Sequence, residues 1–340
     1  MFYDIRKYRE AINKIASDIK IHNGKILVTG ASGLIGTCLV DVLVEANVSF
    51  GSNFEIYALG RNENKLIDRF GNDNKVKFVV QSVTEPIKIK GIDFIVHAAS
   101  NADPRSYALY PVETILTNVI GSKNILEYCR DNGSKALLTS SFEVYGKLRQ
   151  DVYKESQSGM IDLNLIRSCY PESKRISELL FKSYADEYGV DSVIVRLPSV
   201  YGPTMQENDS KAHAQFIKNA LSGNNILLKS QGTQKRTYCY VMDAVSGILK
   251  VLFHGKVGEV YNVANGKSIS TISELARMIA NQVGTEVVFD IPDEIENKGF
   301  SKPQNCILDT SKIEGLGWSG NYDLMTGIID TLSILQESKM

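Results

Sequence analysis

The sequence predicts an α/β fold: a doubly wound parallel sheet followed by a smaller C-terminal α/β lobe. Three observations predict it. Short apolar runs alternate with helically periodic segments through the first 200 residues. The first of those runs, 26–28, breaks into Gly30, Gly33 and Gly36 before an apolar-periodic helix at 37–45. Beyond residue 200 the alternation gives way to a polar stretch at 204–234, punctuated by Gly and Asn. The glycine pattern has a mechanical reading. Gly30 allows a tight turn, Gly33 lets the backbone approach a pyrophosphate, and Gly36 lets the helix pack close to the sheet. Leu34 and Ile35 lie between them, where free helix N–H groups and the helix dipole favour an anion. Strand before and helix after are the context in which this spacing signifies dinucleotide binding.

Composition narrows the class. The chain of 340 residues is long enough for one large core or two unequal ones. A formal net charge of −1 and the lack of basic runs argue against nucleic acid or a membrane surface as partner. No apolar run reaches the ~18 residues of a membrane-spanning helix, and residues 1–20 are charged throughout, without a signal peptide's apolar core. Cys38, Cys129, Cys169, Cys239 and Cys306 are scattered with no CxxC pair, which fits reduced thiols and a cytoplasmic protein. The four histidines show no metal-ligand spacing, so no metal is expected.

In chain order, Ile5, Tyr8, Ile12 and Ile15 mark an amphipathic helix over 3–20 ahead of the first strand. A second strand at 54–59 ends in Gly60-Arg61-Asn62. An acid there would hold the ribose hydroxyls of NAD, whereas an arginine accommodates the 2′-phosphate of NADP. Arg61 therefore favours NADP over NAD, with Glu63 as the contrary acid. A third strand, 76–80, precedes the run 92–100. At its end the small residues Ala98, Ala99 and Ser100 leave room for a cofactor beside the sheet. The helix at 112–130 carries Asn118, either a structural bridge or a cofactor orienter.

The strand 135–139 runs into Ser140-Ser141-Phe142-Glu143-Val144-Tyr145-Gly146. Tyr170 and Lys174 then share one face at the start of a helix continuing to about residue 188. An ammonium near a phenol lowers its pKa and makes it usable as an acid or base near neutrality, with Ser141 sharing the substrate proton. A β-rich run at 191–197 is closed by Pro198. The turn from Tyr201 leaves the core sheet, and a helix follows at 212–221. Strand-like patterns at 235–241 and 259–263, a helix from 243, helices at 273–283 and past 324, and a short strand around 287 complete the chain.

Taken together, the glycine loop, His97-Ala98-Ala99, Ser141 with Val144-Tyr145-Gly146, Tyr170 with Lys174, Arg196 through Val200-Tyr201-Gly202-Pro203, and 236–243 resemble the extended short-chain dehydrogenase/reductases. More narrowly, the chain resembles their nucleotide-sugar epimerase, dehydratase and decarboxylase branch over roughly 24–340. The resemblance implies a Rossmann domain over 23–200, with 236–264 returning to it. It also implies a nucleotide-sugar-binding lobe at 201–235 and 265–340, and leaves 1–22 as an N-terminal helical extension. NADP or NAD would contact Gly30, Gly33, Leu34, Ile35, Gly36, Arg61, Ala98, Ala99, Ser100, Asn118, Tyr170, Lys174, Pro198 and Val200. A hydride would leave C4 of the sugar while Tyr170 takes the hydroxyl proton, Lys174 holds the cofactor ribose and Ser141 orients the hydroxyl. Arg236 matches an arginine that binds the nucleotide diphosphate, a task for a bidentate guanidinium, with an internal ion pair as the other reading. Phe142, Ser199, Asn208, Asp209 and Lys211 fall in the segments that line the substrate in relatives.

The second half-reaction turns on position 142. The 4,6-dehydratases carry Asp-Glu where this chain has Phe142-Glu143, and without the aspartate their dehydration lacks its acid. Glu143-Val144-Tyr145-Gly146 is similar to UDP-glucuronate decarboxylases and UDP-apiose/xylose synthases. Phe142 replaces their small polar residue, and Ser199 their asparagine before the Tyr-Gly-Pro turn. Decarboxylation of a UDP-uronic acid or epimerisation is the expected outcome, with an NADPH-dependent 4-keto-sugar reductase next. A dehydrogenase of non-nucleotide alcohols is opposed by Arg236, and a non-catalytic cofactor-binding protein by the intact Ser141, Tyr170 and Lys174. Relatives pair the helices that here span about 112–130 and 170–188, so a homodimer is expected, with Tyr128, Leu180 and Tyr184 as contributors of apolar area.

Overall fold

The computed structural model describes residues 1–19, 23–72, 74–290 and 304–338. In order the elements are α1 (Arg6–Ser17), β1 (Asn23–Thr29), α2 (Leu34–Phe50), β2 (Asn53–Gly60), α3 (Glu63–Phe70), β3 (Lys77–Val80), β4 (Phe94–His97), α4 (Pro104–Leu109), α5 (Pro111–Asn132) and β5 (Lys135–Ser141). Then come β6 (Val152–Tyr153), α6 (Cys169–Tyr188), β7 (Ser192–Leu197), β8 (Ser199–Tyr201), α7 (Ala212–Leu221), β9 (Ile226–Leu228), β10 (Lys235–Tyr240) and α8 (Val241–His254). The chain ends with β11 (Val260–Asn262), β12 (Ile269–Thr271), α9 (Ile272–Val283), β13 (Val287–Phe289), β14 (Ile307–Leu308), α10 (Ser311–Glu314) and α11 (Leu324–Glu337).

Seven strands form one parallel sheet in the order β11-β7-β5-β4-β1-β2-β3. The order reverses between β1 and β4, which opens a crevice at the strands' carboxyl ends, where ligands of such sheets bind. Alternation along each strand divides the core between two faces. Leu27, Ile95, Leu138 and Ile194 meet the layer that contains residues of α5 and α6. Ile26, Val28, Val96, Leu137 and Val195 meet the layer of α2 and α8. Continuous burial on both faces is why these strands read as unbroken apolar runs.

The first helix after the glycines begins at Leu34 rather than 37, because Gly33, in an extended conformation, is its N-cap; it runs to Phe50, where Gly51 (φ 70°) closes it. The N-terminal helix is Arg6–Ser17, preceded by a 3-10 turn at Phe2–Asp4; residue 20 of its expected span lies outside the described residues. Its apolar face, including Tyr8, Ile12 and Ile15, is buried in the core that includes α2. It also covers two carboxylates of α2. Tyr8 Oη donates to Asp41 Oδ2 at 2.8 Å and Asn13 Nδ2 to Glu45 Oε1 at 2.8 Å. Burial pushes the Asp41 carboxyl up to about 7, against the hydrogen bond from Tyr8.

The expected return of the chain to the main sheet from 236 takes a different form. β10 pairs with β8 and β12 in a separate three-stranded sheet, and the seven-stranded sheet is rejoined only at β11. Part of the expected C-terminal lobe, 291–303, lies outside the described residues. The residues assigned to a dimer face also differ in position. Tyr128 and Tyr184 are buried and Leu180 packs on the same core, since α5 and α6 turn these residues toward the sheet. The Tyr128 hydroxyl accepts from Ile92 N at 3.0 Å, and the Tyr184 hydroxyl donates to Glu127 at 2.5 Å. The exposed apolar stripe on these helices is instead Val112, Ile115, Leu116, Ile120, Ile176 and Leu179.

Candidate active site

A cavity of about 950 Å³ lies along the carboxyl edge of the sheet. Apart from Asn118, every expected site residue lines it: the glycine loop with Leu34 and Ile35, Arg61, Ala98, Ala99, Ser100, Ser141, Phe142, Glu143, Tyr170, Lys174, Pro198, Ser199, Val200, Asn208, Lys211 and Arg236. Asn118 sits behind the wall, with Thr117 facing the cavity in its place. Its Nδ2 donates to Ser173 Oγ at 2.9 Å, bridging α5 and α6.

The glycine loop is built for close approach. Gly30 has φ 67°, and a Cβ there would stand 2.8 Å from the carbonyl oxygen of Ala98. A Cβ on Gly36 would lie 2.3 Å from Gly30 O. Loop, helix and β4 end therefore pack backbone to backbone, which only glycine permits. No side chain caps the N-terminus of α2, so its first N–H groups face the cavity for an anion. This cradle fits the pyrophosphate of a dinucleotide. At the far end of the loop stand Gly60, Arg61, Asn62 and Lys65, while Glu63 does not line the cavity. Arg61 is exposed and pairs with Glu113 at 2.5 Å.

At the other end four side chains converge. Tyr170, at the start of α6, is buried, and Ser141 acts on its hydroxyl. Its ring stacks on Tyr107 of α4, with centroids 5.2 Å apart. Burial raises the Tyr170 phenol well above its ordinary value and the Glu143 carboxylate raises it further, against the pull of Ser141. The expected lowering by Lys174 is not what this geometry produces. Lys174 Nζ donates to the carbonyl of Thr139 at 2.9 Å, and burial pushes its own pKa down to about 8. Desolvation and the Glu143 charge dominate in the buried site and favour the protonated phenol of Tyr170.

Glu143 belongs to a one-turn 3-10 helix, Phe142–Tyr145, that follows β5; its N-cap, Ser141 Oγ, accepts from Glu143 N at 3.2 Å. Arg167 Nη2 meets Glu143 Oε2 at 3.0 Å, and the same guanidinium lies 5.9 Å from the centre of the Tyr107 ring. Neither Arg167 nor Tyr107 was among the expected site residues. Arg167 lies three positions ahead of Tyr170, a spacing that hints at proximity. Tyr107 comes from a helix with no clear periodicity in the sequence.

The substrate end is crossed by residues 204–211. Thr204 Oγ1 donates to Leu34 O at 2.7 Å and Gln206 Nε2 to Ser32 O at 3.2 Å, tying the segment to the glycine loop. Asp103 accepts from Ser210 N at 2.7 Å and anchors its other end beside α4. Arg236 on β10 and Lys211 face the cavity from this side, and Lys211 pairs with Asp209 at 3.1 Å. His213, also in the wall, is pushed down to about 4 by burial, with Lys211 adding to the effect, and so adds no charge near neutrality. Among the described lining residues, Arg61, Lys65, Arg167, Lys174, Lys211 and Arg236 stand against Asp103, Glu143 and Asp209. That cationic excess, in a chain of net charge −1, suits anionic ligands.

Crevice, glycine cradle and Ser-Tyr-Lys constellation define a dinucleotide-dependent enzyme of the extended short-chain dehydrogenase/reductase type. The sequence profile of the NAD dependent epimerase/dehydratase family matches residues 26–264, and the chain belongs to that family. It is 34% identical over 311 residues to UDP-glucuronic acid decarboxylase 6 of Arabidopsis thaliana, covering 90% of this chain and 87% of the relative. To UDP-glucuronic acid decarboxylase 1 of Xenopus tropicalis it is 31% identical over 313 residues, covering 91% and 71%. Among solved structures it is similar to dTDP-glucose 4,6-dehydratase of Streptomyces venezuelae with NAD bound, at TM-score 0.79 and 26% identity, covering 93% and 98%. The fold is likewise shared with UDP-glucose 4-epimerase of Thermotoga maritima, at TM-score 0.79 and 24% identity, covering 93% and 100%.

Proposed function

We propose that this enzyme decarboxylates a nucleoside-diphosphate uronic acid through a 4-keto intermediate, borrowing and returning one hydride. The coarser activity is NAD(P)-dependent modification of a nucleotide sugar by way of a 4-keto sugar, in keeping with its family and its decarboxylase relatives. The observation that carries the finer reading is Arg167, a cation placed against Glu143 beside Tyr170. A guanidinium has five N–H donors, so the contact with Glu143 leaves others to take a carboxylate on the sugar.

A bound nicotinamide supplies the place where the C4 hydride is held. Ser141 orients the C4 hydroxyl, and Tyr170 takes its proton once a charged cofactor and Lys174 offset the burial that keeps the phenol neutral. A ketone at C4 lies β to the carboxylate carbon, so the electrons released with carbon dioxide pass into the carbonyl. Arg167 holds the departing carboxylate, and Glu143 stands beside it to order the proton donor for C5. Tyr170 then returns its proton as C4 is reduced. Phe142 offers no acid for water loss, which speaks against the dehydratase outcome.

Arg236 and Lys211 are assigned to the diphosphate, and Ser199 and Asn208 to the sugar and nucleotide flanks. Arg61, though paired with Glu113, and Lys65, with no acid among the described residues lining that end, favour NADP over NAD. Residues 23–200 with α8 and β11 make the cofactor domain, and β9, β10, β12 and β13 with α7, α9 and α11 the substrate lobe. The stripe of Val112, Leu116, Ile120 and Leu179 is assigned to a second copy of the chain in a homodimer. A screen of nucleotide sugars in D2O by mass spectrometry tests the reaction. Loss of carbon dioxide from UDP-glucuronate with one deuterium gained at C5 supports it; loss of water, or an isomer of unchanged mass, overturns it.

A further inference from the structure

Arg236 differs from Arg196, Arg175 and Arg167 in how it is held. Arg196 is locked to Glu178, Arg175 to Glu172 and two carbonyls, and Arg167 to Glu143. The backbone of Arg236 is fixed on both sides, paired with Ser270 of β12 and bridged to Cys306. Its side chain has no carboxylate at ion-pair distance among the described residues, and its Nε is buried without a hydrogen-bond partner. The contact on its guanidinium is aromatic: its central carbon lies 5.8 Å from the centre of the Phe142 ring.

Phe142 is itself held rigidly. It opens the one-turn 3-10 helix capped by Ser141, and its ring packs on the cluster of Tyr145, Tyr153 and Leu308. The negative face of a phenyl ring attracts a cation without consuming its N–H donors. A carboxylate in that place would fix the arginine equally well, but it would compete with a phosphate for the same donors and cancel the charge.

We propose that Phe142 is a positioning residue for the nucleoside-diphosphate site: its ring holds the Arg236 guanidinium extended into the cavity, un-neutralised and with its donors free for the diphosphate. This rests on the reading of Arg236 as the diphosphate ligand. It gives the aromatic at position 142 a task separate from the chemistry of its neighbours Ser141 and Glu143. The arginine is ordered before the ligand arrives, so less side-chain freedom is lost on binding.

The test is calorimetric titration of the cofactor-loaded enzyme with UDP, which carries the diphosphate and no sugar. Phe142→Leu keeps apolar bulk and removes the ring, and is expected to weaken UDP about fivefold, the size of a partly desolvated cation–π contact. Phe142→Tyr and Phe142→Trp keep a ring face and are expected to bind UDP within twofold of the parent on the same grounds. In an Arg236→Ala background, Phe142→Leu is expected to add no further loss. Should Phe142→Leu fail to fold, as judged by thermal unfolding and cofactor binding, Phe142→Met supplies the same comparison. Weakening by Arg236→Ala with none from Phe142→Leu overturns the role of Phe142 while leaving Arg236 as ligand. Equal loss from Phe142→Leu with and without Arg236 overturns it too, since the ring would then act on UDP by another route. Unchanged binding in Arg236→Ala overturns the diphosphate reading and this inference together.

Discussion

Replacing Arg167 by Gln separates a uronic acid substrate from every neutral sugar. In the structure the guanidinium is half exposed, meets Glu143 at 3.0 Å and lies over Tyr107, while Arg236, the residue proposed for the diphosphate, contacts Phe142. Loss of the cation removes a charge-assisted hydrogen bond to the sugar carboxylate, worth about 1.5–3 kcal/mol. At ~1.4 kcal/mol per decade, kcat/KM for UDP-glucuronate falls roughly ten- to hundredfold. Glutamine is planar and has no charge, so the loss reports electrostatics more than shape. Arg167→Lys keeps the charge without the fork and falls between the two. The assay follows carbon dioxide release under kcat/KM conditions, with UDP titrated in parallel. UDP binding stays within about twofold of the parent, because the group proposed to meet Arg167 is the sugar carboxylate, which UDP lacks. Equal weakening of UDP and UDP-glucuronate, or an unchanged kcat/KM for the uronate, refutes the carboxylate role.

Three further perturbations follow from the geometry. Tyr170→Phe removes the proton acceptor and lowers turnover by about two to four decades, with cofactor affinity intact by fluorescence titration; unchanged turnover removes Tyr170 from the mechanism. The Asp41 carboxyl, raised to about 7, makes a pH prediction. The folded protein holds this proton more tightly than the unfolded chain does. Its stabilisation is therefore complete below the ordinary carboxylate value and is lost as pH rises through about 7. Asp41→Asn should match the parent in urea unfolding at pH ~4 and exceed it by roughly 4 kcal/mol at pH ~8; an offset that does not change with pH contradicts the buried proton. Leu179→Glu, on the exposed stripe of α6, should give a monomer by light scattering without lowering the unfolding midpoint of the isolated chain. A dimer that survives this change lies elsewhere.

How much was legible in the sequence depends on how local the cause is. The glycine loop, the parallel strands and the Tyr170–Lys174 pair have local causes: a backbone that tolerates no Cβ, residues buried on both faces, and two positions one helical turn apart. The Arg167–Glu143 pair, the Tyr107–Tyr170 stack and the Phe142–Arg236 contact join residues brought together only by the fold. The upward shift of Tyr170, against the sequence expectation, has the same kind of cause. Spacing puts Lys174 on the same face, but the depth of burial and the Thr139 carbonyl that takes its ammonium come from other elements. Asn118 and Tyr128 show how narrow a helical face is. A single position separates Asn118 from Thr117, which lines the cavity, and Tyr128 points into the core while Ile120, two turns earlier, is exposed.

Decarboxylation through a borrowed hydride is tested most directly with UDP-glucuronate carrying an isotopic label in its carboxyl group, incubated with the purified enzyme and its cofactor. The account predicts labelled carbon dioxide released mole for mole with a UDP-pentose, and no net accumulation of reduced cofactor. A sugar product that retains the label, or reduced cofactor that accumulates in step with product, would contradict it.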